Sequence, residues 1–235
     1  MKNIKKFSLI ASLLSLLVIL TPANGDVKVV TSIKPIHSLA SYLMDGVGKP
    51  DLIVDGYASP HGFALKPSHA KMLQNADLIF WVGEDLENFL EKPLKSIAKK
   101  AEKIELMEIK GLKKLEFRER NIFEGHDDHG HDEHKEHGHK EDKHDDHHEH
   151  AHGEHDPHIW LDPMNAKVIL SEMAEHLIEK DQENASKYKA NLKKAHKDLD
   201  KLTKKVKSEL NKDFKSIVFH DAYQYFEKRF CVNVL

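Results

Sequence analysis

Twelve of the chain's 19 histidines fall between Glu124 and Pro157: His126, His129, His131, His134, His137, His139, His144, His147, His148, His150, His152 and His155. Acidic residues separate them, and no side chain in the interval is more apolar than Ala151. Neutral imidazole is the commonest protein ligand for Zn(II), Cu(II) and Ni(II), and a pKa of about 6.5 leaves most such rings free to coordinate at pH 7. A stretch of this composition cannot bury a core. Residues 124–157 therefore read as a mobile metal-loading loop that orders only around metal. A solvated polar spacer is the bland alternative, but a spacer needs no imidazole.

Three further histidines stand apart from that loop, each at the end of a predicted strand or in the turn after it. They are His61 in Ala58-Ser59-Pro60-His61, His158 in Asp156-Pro157-His158-Ile159-Trp160, and His220 in Val218-Phe219-His220-Asp221-Ala222. In parallel α/β sheets the carboxyl edge is where ligands bind. Three imidazoles with a fourth position for a carboxylate or water make a tetrahedral zinc site. Spacing alone leaves each of the three equally open to a hydrogen-bonded structural role. His37, His69, His176 and His196 lie in helical stretches with no partner at metal-ligand spacing, and are read as structural.

The elements that must position these rings follow from hydrophobic patterning. Val27 to Ile33 is a β-branched run feeding a helix through Ile36, Leu39, Ala40, Leu43 and Met44. Asp51 to Val54 predicts a second strand, Lys66 to Asn75 a short helix, and Ala76 to Val82 a third strand. A helix from Leu86 to about Lys100 and a strand from Lys103 to Met107 complete the series. Strands alternating with helices imply a parallel sheet covered on both faces, hence an α/β fold. After Pro163 the pattern turns helical over 165–179 and again over 184–210. Tyr188, Leu192, Ala195, Leu199, Leu202 and Val206 form a stripe there. About three heptads suit one helix packed across two lobes better than a coiled-coil seam. Lys215 to Phe219 reads as a new strand opening a second α/β unit, of which only 16 residues follow Phe219.

The whole chain sets further bounds. Its 235 residues carry a formal charge of -3, which argues against nucleic acid as the partner. Residues 1–25 join a Lys-containing start, an apolar run from Phe7 to Leu20, and small residues Ala23 and Gly25 before Asp26. That is the pattern of a secretory signal peptide, too short for a bilayer span. Cys231 is the one cysteine, so no bridge within the sequence as it stands is possible; it is read as an inert buried residue, a site for intermolecular pairing, or one half of a bridge whose partner is not in this chain.

Several stretches together carry a family resemblance: Thr31-Ser32-Ile33-Lys34-Pro35, Pro60-His61, Lys66-Pro67-Ser68, Asn75-Ala76-Asp77-Leu78, Trp81-Val82-Gly83, His158-Ile159-Trp160-Leu161, Phe219-His220-Asp221-Ala222-Tyr223 and Tyr225-Phe226-Glu227-Lys228. The sequence resembles the periplasmic zinc-binding proteins of bacterial zinc ABC transporters, the ZnuA-like branch of the cluster A-I solute-binding proteins. An acidic, histidine-rich loop is itself typical of the zinc-specific members. The resemblance implies a two-lobe α/β protein whose parallel sheets are joined by one long rigid helix, with metal held between the lobes. It carries the ligand histidines onto His61, His158 and His220. Members often add a carboxylate from late in the second lobe, which no position here matches, and the Glu that precedes the first ligand in some members is Pro60 here.

The expected organisation is a signal peptide at 1–25, an N-terminal lobe at 26–163 containing the loop, a helical region at 164–212, and the start of an incomplete second lobe at 213–235. The expected function is capture of Zn(II) in the periplasm, as transported ligand, and delivery to a membrane permease by a monomeric protein. Asp221 is expected to orient its turn and backbone carbonyls to fix the histidine tautomers, while the loop serves as a weaker reservoir. Two rivals stand beside this reading. Catalytic zinc also uses three histidines and an open position, but no His-Glu-x-x-His helix or placed general base is present, so no enzyme is expected. A truncated, transport-incompetent zinc buffer is the other, with Phe226 and Phe230 left uncovered.

Overall fold

The computed structural model describes residues 26–118, 154–211, 218 and 220–232. The expected signal peptide, eleven of the twelve loop histidines and, apart from Val218, the strand expected at 215–219 lie outside the described residues.

Four short strands form one parallel sheet in the order β2-β1-β3-β4: β1 Val29–Thr31, β2 Asp51–Leu52, β3 Leu78–Trp81 and β4 Glu102–Glu105. Three helices make the crossovers, α1 Lys34–Leu43, α2 Pro67–Asn75 and α3 Glu84–Ser96. The chain moves one way across the sheet from β1 to β2 and the other way from β2 to β3 and β4. Right-handed crossovers therefore put α1 on one face and α2 with α3 on the other. The direction reverses between β1 and β3, and the crevice at that point is where open α/β sheets bind ligands.

The sequence dictates this sheet through burial. Val29, Val30, Leu78, Ile79 and Phe80 are all buried, as strands covered on both faces require. Ile36, Ala40 and Leu43 give α1 its inward stripe at helical spacing, and Pro35 occupies the first turn, where its missing N–H leaves no bond unmade. The predicted second strand is shorter than expected. Ile53 and Val54 nonetheless continue its backbone ladder, donating to Thr31 and Ser32 at 3.0 and 2.9 Å.

Beyond the sheet, α4 Pro163–Lys180 packs against α1 and β3, and α5 Ala185–Glu209 runs for 25 residues along α4 and α1. This is the long helix expected from the stripe. Tyr188 and Ala195 are buried and Leu192 and Leu199 pack on the core, whereas Leu202 is 53% exposed. The first four residues of the six-residue stripe meet the core of the described lobe.

A seven-residue helix, α6 Gln224–Phe230, returns to the lobe and packs on the 3₁₀ turn Ile159–Leu161. Here the expectation of uncovered aromatics fails. Phe230 is 6% exposed, Tyr225 joins the main core, and Phe226 stacks on Phe230 with ring centroids 4.7 Å apart. The apolar side chains are covered because α6 lies on the lobe rather than beside an unfinished sheet. Cys231 closes α6 and is exposed, which removes the reading of it as buried.

Candidate metal centre

His61 sits in the 3₁₀ turn Pro60–Gly62, where the Ser59 hydroxyl accepts the His61 backbone N–H at 3.3 Å. His158 immediately precedes the turn that leads into α4, and His220 lies four residues before α6. The structure brings these three segments together. One ligand nitrogen from each ring lies within 4.8 Å of the others, and the ring centroids are 5.1 to 6.2 Å apart. His158 Nε2 and His220 Nε2 approach to 3.2 Å. Tetrahedral nitrogen ligands at about 2.0–2.1 Å from one ion stand about 3.3 Å from each other, so the spacing fits a shared zinc-sized cation.

His158 is the anchored member. Both it and Asp156 are buried, and the Asp156 carboxylate accepts from the His158 backbone N–H at 3.0 Å and lies 2.7 Å from Nδ1. A carboxylate in that position accepts the Nδ1–H and leaves the Nε2 lone pair directed at the other two rings. The expected tautomer anchor was a backbone carbonyl, and for His158 it is this side chain instead. Burial, followed by the neighbouring His158 ring, holds His220 below the ordinary imidazole range, which favours the neutral form that coordinates.

The three rings border a crevice of about 540 Å³ at the carboxyl edge of the sheet, walled by Ile33, Val54, Leu86, Trp160 and Tyr223. The apolar walls keep water away from part of the ion's surroundings and strengthen its attraction to the rings.

His155 departs from the loop reading. It forms an isolated antiparallel bridge with Glu116, and Asp156 N donates to Leu115 O at 2.8 Å, so the chain is already paired with the lobe at residue 155, before Pro157. His158 in turn follows an isolated bridge and a turn rather than the end of a strand. Three residues to which the sequence assigns no role also bear on the site: Asp156, Arg118 and Tyr225. Asp156 was findable as a carboxylate two positions before a candidate ligand. The roles of the other two had no local signal, since their partners are more than 60 residues away.

One structural histidine has an unexpected neighbourhood. His176, together with Glu102 and Glu179, presents ligand atoms within 4.8 Å of one another, because β4 brings Glu102 against α4. His176 Nδ1 stands 2.7 Å from Glu102, and Lys180 reaches the same carboxylate at 2.9 Å. Lys180 keeps the Glu102 carboxyl below the usual range, so the group is already charge-compensated. His37 and His196 take the structural roles read for them, facing the carbonyls of Pro50 and Lys167 at 3.1 Å. His69 Nδ1 accepts from Lys66 N at 3.1 Å at the start of α2.

The parallel sheet, the long helix and a crevice at the carboxyl edge define an α/β protein of the solute-binding architecture. Solved structures agree on that fold. A crystal structure of ZnuA superposes with a TM-score of 0.68 at 21% identity, covering 89% of this chain and 70% of that one. A zinc-bound ZnuA deletion mutant gives a TM-score of 0.68 at 22% identity, covering 89% and 69%. In sequence, the family described as ZnuA, zinc-uptake complex component A periplasmic, matches residues 29–235. The high-affinity zinc uptake system protein ZnuA of Brucella abortus is 50% identical over 215 residues, 86% of this chain and 64% of the relative. Its counterpart from Yersinia pestis is 35% identical over 233 residues, 96% and 70%. The chain belongs to the ZnuA family. It spans just under two thirds of the length of the Brucella relative, at 64%.

Proposed function

We propose that this protein captures Zn(II) in the periplasm, with His61, His158 and His220 as ligands, and hands it to the membrane permease of an ABC transporter. The observation that carries the reading is the convergence of three imidazoles from separate segments, with the ligand nitrogens of His158 and His220 3.2 Å apart. Three nitrogen donors favour zinc over manganese, which prefers carboxylate-rich oxygen sites. Relatives named for high-affinity zinc uptake support transport over the rival of a zinc buffer. A binding protein needs a cage and no general base, and the carboxylate nearest the site, Asp156, is occupied by His158. The protein is thus no enzyme on this reading. Export through residues 1–25 as a signal peptide supplies the periplasmic location, and the protein acts as a monomer.

Residues 124–153 serve as a weaker reservoir whose many imidazoles raise the zinc concentration near the tight site. Calorimetric zinc titration of the full chain tests both parts. The expected isotherm has a tight one-to-one phase followed by weaker multi-site uptake. His61→Ala removes the first phase, and deletion of 124–153, which leaves Asp156 in place, removes the second. Weak binding alone that vanishes with the deletion would rule out the tight site.

A further inference from the structure

His220 is the ligand that comes from the α6 segment, 62 residues beyond His158. It reaches the other two rings through the placement of α6, and that placement rests on a few polar grips. Arg118 ties the chain before and within α6, since one guanidinium nitrogen donates to Asp221 Oδ1 at 2.5 Å and another to the Glu227 carboxylate. Tyr225 sits in the core, where its hydroxyl accepts Leu115 N–H at 3.0 Å and donates to Asp156 O at 2.8 Å.

Both grips end beside ligands. Asp221 is the residue after His220. Asp156 is the residue whose carboxylate holds His158, so its backbone oxygen is tied to α6 while its side chain is tied to the site. A shift of α6 would move His220 and loosen the anchor of His158 together. From this convergence we infer that Arg118 and Tyr225 are positioning residues for the metal centre, setting the distance between His220 and His158. The inference rests on the zinc-binding reading above. Neither residue offers an atom to the ion: the guanidinium is a cation with no lone pair available, and the Tyr225 hydroxyl is committed to Leu115 and Asp156.

The test uses the full chain, with Zn(II) read by competition against a chromophoric chelator and Co(II) read by its visible spectrum. Tyr225→Phe keeps the ring in the core and removes both hydrogen bonds, and should weaken the tight zinc phase about tenfold. Arg118→Ala should weaken it by about ten- to a hundredfold, the range typical of lost outer-shell partners. Arg118→Lys, which retains a cation for one of the two carboxylates, should recover part of that loss. In both weakened variants the intense visible absorption of four-coordinate Co(II) should fall toward that of a higher-coordinate ion, because His220 has left the ion and water has entered. Zinc affinity and a Co(II) spectrum equal to wild type in Tyr225→Phe and Arg118→Ala, whatever their melting temperatures, would overturn the inference and leave the zinc-binding reading standing. A wild-type chain with no tight phase would overturn both.

Discussion

The sheet lobe and the α6 segment are both folded against the same core, but by different forces. In the lobe, side chains such as Leu43, Leu78, Phe80 and Leu90 are withdrawn from water completely or nearly so, and each contributes on the order of 1.5–3 kcal/mol by burial. In α6, Tyr225 and Phe230 are buried, but the segment is also clamped by Arg118 on Asp221 and Glu227 and by Arg229 on Asp162 with two bonds of 2.6 Å. Asp162 at the same time caps α4 by accepting Met164 N–H at 2.9 Å. Apolar packing is nondirectional, whereas charge-assisted hydrogen bonds made by a forked guanidinium favour one geometry. The histidine cluster draws ligands from both regions, so its rigidity is borrowed from the lobe and its registration from the clamps.

Four substitutions separate these contributions. The largest effect should come from His158→Ala, which removes the most deeply anchored ligand. Tight zinc affinity should fall by about a thousandfold or more in a chelator competition, beyond the ten- to hundredfold of an outer partner. Leu90→Ala attacks the lobe alone. Urea unfolding should show a loss of about 2–5 kcal/mol, and a loss in zinc affinity of similar size would erase the distinction between the regions.

Glu87→Gln probes an unusual feature of the lobe. This carboxyl is fully buried at a kink in α3, with Oε2 accepting Val82 and Gly83 N–H at 2.9 Å, and its pKa is raised to about 7. Burial is the main cause; repulsion by Glu105 adds to it, while the hydrogen bonds oppose it. A carboxyl raised from about 4.5 to about 7 binds its proton more tightly when folded. Its contribution is therefore fully present below pH 4.5 and is lost as pH rises through 7. The neutral amide avoids that loss, so Gln should gain up to about 3 kcal/mol over wild type above pH 7.5, with the gap closing toward pH 5. Equal denaturation midpoints across that range would contradict the burial argument.

The smallest effect is expected for Asp156→Asn. It keeps the shape but weakens the hold on His158 Nδ1, and should lower zinc affinity by about tenfold with little change in unfolding. A collapse of the fold instead would show that Asp156 supports the lobe more than the ligand.

Much of the lobe was legible because each strand and helix is encoded within a dozen residues by its own apolar period. The three candidate ligands were legible only in part: each falls at a predicted strand end or turn, but spacing left each open to a structural role, and the family resemblance singled them out. What escaped the sequence was encoded between segments. Glu102 and His176 are neighbours only because β4 lies beside α4, and Arg118 meets Asp221 and Glu227 across more than 100 residues. The kink at Glu87 was hidden for another reason. Its neighbours make a good helical pattern, and only the demand of the Val82 and Gly83 N–H groups for a carboxylate bends the chain there.

The small bridge between Glu116 and His155 has a consequence for how such a chain can change over evolutionary time. It fixes the entry and exit of the histidine-rich insert at one point, so the core does not register how many residues lie between. A change in the number of residues between the two would leave the described contacts of the lobe as they are, so the count of imidazoles can change without repacking it.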